Sequence, residues 1–96
     1  MAHKIIWSPR AASNLEDICE YIARDSKYYA TLFAKRIIAI VENIPKFPKS
    51  GRIVPEYNSK NLREKIHKNY RIIYRVKRNF IEIVAICHST KPLGNL

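Results

Sequence analysis

Residues 62–88, LREKIHKNYRIIYRVKRNFIEIVAICH, contain three segments with the spacing of β-strands. Apolar and polar side chains alternate along residues 62–68 and 70–77, as they do in strands with one face buried. Residues 80–88 are the most apolar of the three, which is typical of a central strand. Lys68-Asn69 and Arg78-Asn79 separate the segments and favour tight turns. The pattern predicts a three-strand antiparallel meander.

The residues before this stretch predict a strand and two helices. Residues 3–7 are rich in β-branched and aromatic side chains, which favour a strand. Ser8-Pro9 is a helix-start signal, because serine caps free N–H groups and proline fits the first turn. Apolar residues then recur at helical spacing over residues 9–25 and 27–45. Two amphipathic segments joined by a short turn predict an antiparallel helical hairpin.

Between the hairpin and the meander, residues 45–60 contain three prolines and one glycine and predict a surface loop. The whole order is β-α-α-β-β-β, an α+β fold in which the helical hairpin packs on one face of an antiparallel sheet. The length, 96 residues, predicts a single domain over residues 1–96. The side chains expected in its core are Phe33, Ile37, Val41, Ile72, Tyr74, Ile83 and Ala85.

Positive charge is concentrated in one third of the chain. Residues 46–78 hold eleven Lys and Arg residues against two carboxylates, so they carry +9 of the net charge of +10. Such a field attracts phosphate backbones or an acidic protein and speeds the encounter with either. The chain is therefore expected to bind an anionic partner.

The cysteines and the hydropathy pattern narrow the class of protein. Cys19 and Cys87 are far apart and lack the spacing of zinc ligands, so we expect reduced thiols and no metal site. Cys19 falls on the apolar side of the first helix and Cys87 in the last strand, so both are expected to be buried. The sequence shows neither a secretory leader nor an apolar run long enough for a bilayer. These features predict a cytoplasmic protein with no membrane partner.

Four segments resemble the RelE/ParE family of toxins from type II toxin–antitoxin systems. They are WSPRAASNLEDICEYIARDS (7–26), FPKSGRIVPE (47–56), LREKIHKNYRIIYRV (62–76) and IVAICHSTK (83–91). The family fold, a strand, two helices and three strands, agrees with the order predicted above. The opening segment and the SGRIVPE loop are most similar to the ParE branch. The resemblance implies a toxin that inhibits growth, serves plasmid stabilization and is neutralised by a cognate acidic antitoxin.

The resemblance implies two possible targets. ParE-type members poison DNA gyrase and are not nucleases, whereas RelE-type members cleave messenger RNA on the ribosome, using the 2′-hydroxyl of the RNA as nucleophile. Neither activity implies a cofactor, a metal or a small-molecule substrate. We favour the gyrase poison. The alternatives are a ribosome-dependent, metal-independent mRNA endonuclease and an inactive relative that binds only its antitoxin or nucleic acid.

The nuclease alternative has a specific set of candidate residues. Arg71 stands where the family has an arginine at the scissile phosphate, but Leu62 and Glu64 replace the two lysines of RelE-type enzymes. Lys91 replaces an arginine near the C-terminus, and the C-terminal tyrosine is missing. Other ribosome-dependent members use a carboxylate base and a histidine acid. The catalytic candidates are then Glu64, Arg71, His88 and Lys91, while the structural interpretation makes Glu64 an ion-pair partner of Arg71 or Arg75.

Arg71 and Arg75 provide the best indication of a binding surface. They are four positions apart on one strand, and Ile73 lies between them. Because alternate residues of a strand point to the same side, all three share a face. Two arginines on a covered face are costly unless they are paired with acids. Tyr28 and Tyr29, adjacent in the second helix, cannot share a face, so one is expected to be exposed. The residues predicted to bind the antitoxin or target are Arg52, Arg63, Arg71, Arg75, Lys77 and Lys91.

Overall fold

The computed structural model describes residues 4–94, and within them the predicted β-α-α-β-β-β order is confirmed. The chain also forms a 3₁₀ turn, Ile44–Lys46, and a short additional strand. The elements are β1 (Lys4–Trp7), α1 (Pro9–Ala23), α2 (Lys27–Asn43), β2 (Arg52–Ile53), β3 (Leu62–His67), β4 (Tyr70–Val76) and β5 (Phe80–His88). Residue 3, the predicted start of β1, lies outside the described residues.

The five strands form one sheet in the order β1-β5-β4-β3-β2. Strands β3, β4 and β5 pair antiparallel, as predicted, and β5 has a partner on each side. Strand β1 pairs parallel with β5, with Trp7 opposite Ile83, so the sheet is mixed and the expectation of a fully antiparallel sheet is wrong. The reason is the long connection after β1, which lets the strand lie beside a partner that comes last in the sequence.

Both helices begin where the sequence predicted. The Ser8 hydroxyl accepts a hydrogen bond from the Ala11 amide at 3.0 Å and donates one to the Val84 carbonyl at 2.8 Å. Ser26 caps α2 by accepting from the Tyr29 amide at 3.1 Å. The Ser8 contact does more than satisfy a helix terminus, because it also fixes α1 to the sheet.

The main core lies between the helical hairpin and the sheet. All seven side chains predicted in the core are buried. Tyr74 is completely covered, and its hydroxyl donates to the Pro48 carbonyl at 2.7 Å and accepts from the Gly51 amide at 3.0 Å. The core thus holds the segment that follows α2 as well as the helices themselves.

A second, smaller apolar cluster lies on the opposite face of the sheet. It includes Val54, Leu62 and Ile73 together with Val84 and Ala85. Val84 and Ala85 share this face although they are consecutive, because the β4–β5 register shifts between Ile73 and Tyr74. This is the geometry of a β-bulge, in which one strand contributes an extra residue.

The segment between the helices and the meander is more ordered than an open surface loop. It contains β2, in which Arg52 lies opposite Glu64, and it buries Gly51 and Val54. The surface-loop prediction for residues 45–60 is therefore wrong in part. A two-residue strand is too short to show alternation, and Pro and Gly around it mask the signal.

Candidate functional site

Arg71 lies near the middle of the sheet on the face opposite the helices, and it is only 5% exposed. Its Nε donates to Glu64 Oε1 at 2.5 Å. Its Nη1 and Nη2 donate to Glu56 Oε2 and Oε1 at 2.8 and 2.9 Å, a parallel pair of bonds of the kind a planar guanidinium makes with a carboxylate. One buried arginine is therefore held by two carboxylates.

Glu64 connects this arginine to a second one. Its side chain is 1% exposed, and its other oxygen, Oε2, accepts a hydrogen bond from Arg52 Nε. The Arg52 side chain is 62% exposed, so the network reaches solvent at this end. We call Arg52, Glu56, Glu64 and Arg71 the Arg71 network; its formal charges sum to zero, which is the condition for burying charge at tolerable cost.

The pairing changes the proton affinity of both ends. The two hydrogen bonds from Arg71 lower the pKa of Glu56 from 4.5 to about 2. In return, the Glu56 hydrogen bonds, followed by those of Glu64, raise the pKa of Arg71 above its usual value. Both groups remain charged over the neutral range, so the ion pair is permanent at physiological pH.

Glu56 is the member of the network that the sequence interpretation did not assign. It lies in the segment predicted to be a loop, where periodicity carries no information about which side chains point inward. The one available signal was its position at the end of the SGRIVPE motif (residues 50–56) that carries part of the family resemblance.

Arg75 and Lys77 continue the same region towards solvent. Arg75 Nη1 donates to Glu82 Oε1 at 3.0 Å, and both side chains remain about one-third exposed. Lys77 is exposed in the β4–β5 turn. Arg71 and Arg75 thus lie on one strand, as predicted, but the first is buried and the second is accessible to a partner.

Arg63, a predicted binding residue, bonds to backbone carbonyls of the segment before β3. Its Nη1 donates to the carbonyls of Lys49 and Gly51 at 3.1 and 3.0 Å, and its Nε donates to the Lys60 carbonyl at 2.9 Å. A Cβ atom added at Gly51 would lie 2.6 Å from both the Glu64 carbonyl oxygen and the Tyr74 hydroxyl. Arg63 therefore holds the tightly packed backbone at Lys49 and Gly51 against the edge of β3.

The four catalytic candidates do not meet in one groove. Glu64 and Arg71 are in contact, but His88 lies on the helix side of the sheet, where its ring packs edge-on against Tyr70 with centroids 5.5 Å apart. Its Nδ1 lies 2.8 Å from the Thr90 hydroxyl. The structural interpretation of His88 as a hydrogen-bonded strand end fits these contacts.

Lys91 follows the end of β5 by three residues. It lines a cleft of about 380 Å³ together with Cys87, and its side chain is exposed. Burial raises the pKa of the Cys87 thiol, while the positive charges of Arg71 and Lys91 oppose that shift. Cys87 and Cys19 are free thiols. Both are half-buried, so the prediction that they are buried is correct only in part.

Between residues 4 and 94, no three His, Cys, Asp or Glu side chains are grouped in a way that could hold a metal ion. In the same range, neither helix has the length and apolar character that a membrane crossing requires. The candidate site consists of the ion pairs of the Arg71 network and of the exposed cations around them.

The sequence of residues 5–92 matches the family model described as the ParE toxin of the type II toxin–antitoxin system parDE. The chain belongs to the ParE toxin family. This ParE-family toxin is also similar to a protein of Sinorhizobium fredii named "Putative toxin Y4kP". The two are 32% identical over 88 residues, which is 90% of this chain and 88% of the relative. The chain is thus a toxin of the ParE/RelE type.

Solved structures share its fold. The chromosomal ParDE system of P. aeruginosa superposes with a TM-score of 0.75 at 20% identity, covering 91% of this chain and 96% of the other. The RelBE2 toxin–antitoxin complex of Mycobacterium tuberculosis gives 0.66 at 12% identity, with coverage of 92% and 99%. The YoeB dimer of Staphylococcus aureus gives 0.57 at 20% identity, with coverage of 92% and 97%. The RelE/ParE-like fold of this ParE-family toxin is confirmed.

Proposed function

We propose that this toxin arrests growth in the cytoplasm by poisoning DNA gyrase, without chemistry of its own, and that a cognate acidic antitoxin neutralises it. The burial and the ion pairs of Arg71 support a gyrase poison over a nuclease. At the position where a nuclease would present a cation to the scissile phosphate, Arg71 is 5% exposed and donates to two internal carboxylates. Three of its five N–H donors are already engaged with carboxylates of the same chain.

The rest of the candidate set supports the same choice. Cleavage of RNA by its own 2′-hydroxyl needs a base for that proton and an acid for the leaving oxygen, both within hydrogen-bond reach. Each Glu64 oxygen accepts from an arginine, and the side chain is buried. His88 packs against Tyr70 on the other side of the sheet. A base and an acid around one phosphate would require both to move.

The antitoxin part of the proposal rests on charge. Residues 46–78 carry +9, and the Arg71 network uses both carboxylates in that range, leaving most of its lysines and arginines for a partner. Arg52, Arg75, Lys77 and Lys91 have accessible side chains, whereas the half-buried Arg63 already donates to three backbone carbonyls. We assign these four to antitoxin or target binding, and Arg63 and Arg71 to the scaffold that presents them.

The deciding experiment measures both targets with the same purified toxin. Gyrase supercoiling and translating ribosomes are exposed separately to increasing toxin concentrations. We expect loss of supercoiling with accumulation of cleaved DNA, and intact mRNA on the ribosomes. Codon-positioned mRNA cuts with undisturbed gyrase would overturn the proposal in favour of the RelE-type endonuclease.

A matched pair of variants separates a catalytic Arg71 from a structural one. In a nuclease, Arg71→Lys loses the planar fork on the scissile phosphate and should abolish growth arrest even when folded. In the proposed gyrase poison, the folded fraction of Arg71→Lys should still arrest growth. Arg75→Lys, on the same strand, is the control for expression and for loss of a guanidinium. Growth arrest on induction is compared at equal amounts of folded protein.

The antitoxin part has an independent test. Steering by a +9 segment makes association faster at low ionic strength, because salt screens the attraction between the exposed charges. We expect the association rate constant with the antitoxin encoded beside the toxin gene to fall steeply between low and physiological salt. A rate constant independent of salt would contradict electrostatic capture.

A further inference from the structure

A cleft of about 300 Å³ lies at the end of the sheet, between the first turns of α2 and the β3–β4 hairpin. Its walls combine aromatic rings with positive charge. The residues that define it are Tyr29, Phe33, Arg36, His67, Lys68 and Tyr70, and we call it the aromatic–basic cleft. It belongs to neither the Arg71 network nor the Lys91 cleft.

Three of its rings form a continuous wall. Phe33 packs edge-to-face against Tyr70 with centroids 5.1 Å apart, and its centroid lies 6.0 Å from that of His67. Phe33 is 8% exposed and ties this wall to the core. Tyr29 precedes Phe33 by one helical turn, which places it on the same side of α2. It is 62% exposed, so the cleft has a fixed wall and one accessible ring.

Two cations lie beside the rings. Arg36 and Lys68 line the cleft together with His67, and burial, followed by these positive charges, lowers the pKa of His67. Lys68 is held at the hairpin turn with φ of 54°. No Asp or Glu is among the residues that line the cleft, all of which belong to the described range. The charge around it therefore suits an anionic ligand.

We propose that the aromatic–basic cleft binds one unpaired nucleotide of a single-stranded nucleic acid, with the base against the rings and the flanking phosphate at Arg36 and Lys68. Rings on which a base can stack, next to cations that track the backbone, are what single-strand binding requires. The volume is at the lower end of small-ligand sites. It accommodates one ring system but not a peptide helix, which is about 10 Å across.

The inference is independent of the target proposed above. Phe33 and Tyr70 belong to the helix side of the sheet, whereas the Arg71 network lies on the opposite side. Binding of a nucleotide here leaves Arg71 and Glu64 untouched, and it involves no bond making or breaking.

The test uses the full-length toxin and a fluorescent eight-residue oligothymidylate, with anisotropy as the readout. The chain offers adjacent controls. Tyr28 is 70% exposed beside Tyr29 but does not line the cleft, and Lys35 precedes Arg36 but faces another surface. We expect Tyr29→Ala to weaken binding about tenfold, the scale of one lost base–aromatic stack. Tyr28→Ala should change it less than about twofold, since Tyr28 does not line the cleft and its loss removes only an edge-to-face contact with the Tyr29 ring.

The proposed contact of Arg36 with a phosphate is tested by the salt dependence of binding. Arg36→Gln should reduce the slope of log affinity against log salt by about 0.7, the value for one phosphate contact with a single strand, and Lys35→Gln should not. Equal effects within either pair would reduce the binding to general attraction by a basic surface and overturn the proposal. A blunt-ended duplex has no unpaired base. If Tyr29→Ala weakened binding of such a duplex as much as binding of the single strand, the proposal would also be overturned.

An acidic peptide is the competing occupant. A nonapeptide with a central tyrosine flanked by glutamates is used to displace the labelled oligonucleotide, alongside unlabelled oligothymidylate. We expect the oligonucleotide to be the stronger competitor. Stronger competition by the peptide, lost in Tyr29→Ala, would assign the cleft to a protein ligand instead.

Discussion

On the face that carries the helices, ten buried residues form one core, and the hydroxyl of its Tyr74 has two backbone partners. On the opposite face, a smaller apolar cluster lies beside Arg71 and Glu64, both almost completely covered. The first face is held by apolar burial and tolerates small losses of volume. The second contains charges that are stable only while each has its partner, so single groups matter more there.

The largest effect expected from this comparison is at Glu64. Glu64→Gln keeps the shape of the side chain but removes the charge that faces Arg71 and Arg52. We expect the free energy of unfolding to fall by about 3 kcal/mol, the lower part of the range for a broken buried pair, because Glu56 still compensates Arg71. Urea unfolding measures it. Glu82→Gln is the control, since its partly exposed pair with Arg75 should contribute less than about 1 kcal/mol.

The second effect concerns the hydroxyl of Tyr74 on the helix face. Tyr74→Phe leaves the Gly51 amide and the Pro48 carbonyl without the hydroxyl that binds both. Unpaired buried groups of this kind cost about 2 kcal/mol. Tyr28→Phe, at an exposed position, should leave the urea midpoint unchanged. A stability of Tyr74→Phe equal to wild type would mean that this segment is not held by the hydroxyl.

A purely apolar change on the helix face should cost less than either. Ile37 is 0% exposed, and Ile37→Val removes one methylene from the core. The expected loss is about 1 kcal/mol. Its neighbour Ile38 is 42% exposed, so Ile38→Val is the matched control and should be nearly neutral. If Ile37→Val proved more damaging than Glu64→Gln, the contrast between the two faces would be wrong.

The last effect is the acid dependence that Glu56 contributes, and it is reduced by solvent screening because the side chain is 42% exposed. Pairing lowers its pKa from 4.5 to about 2, so the folded state binds the proton less readily than the unfolded chain. The stability from this pair is therefore fully present above pH 4.5 and is lost as the pH falls towards 2. We expect Glu56→Gln to lose less stability than wild type between pH 6 and pH 3. Glu42→Gln, on the exposed side of α2, should behave as wild type.

Local signals in the sequence account for most of the fold. The last strand was predicted with its observed bounds, Phe80–His88, and both helices with their observed starts, because period and capping residues are local features. The parallel pairing of β1 with β5 was not predictable in this way. It depends on a contact between residues more than seventy positions apart, and no pattern within either strand encodes its partner.

The candidate site was predictable only in part, for the same reason. The alternation of β4 placed Arg71 and Arg75 on one face, and the cost of burying arginine pointed to acidic partners. Glu64, one strand away in the meander, was predicted separately as an ion-pair partner of Arg71 or Arg75. Glu56 was not found, since the path of an irregular segment follows from the contacts of Gly51, Val54 and Arg63 rather than from any repeat in the sequence.

The two bonds between Arg71 and Glu56 have a consequence for any acidic partner. A carboxylate of the partner can bind this guanidinium only by displacing Glu56. It therefore replaces one ion pair by another rather than adding a new one. The net gain of such an exchange is small, so long residence must come from apolar contact. The exposed lysines and arginines would then govern how fast the complex forms, and shape would govern how long it lasts.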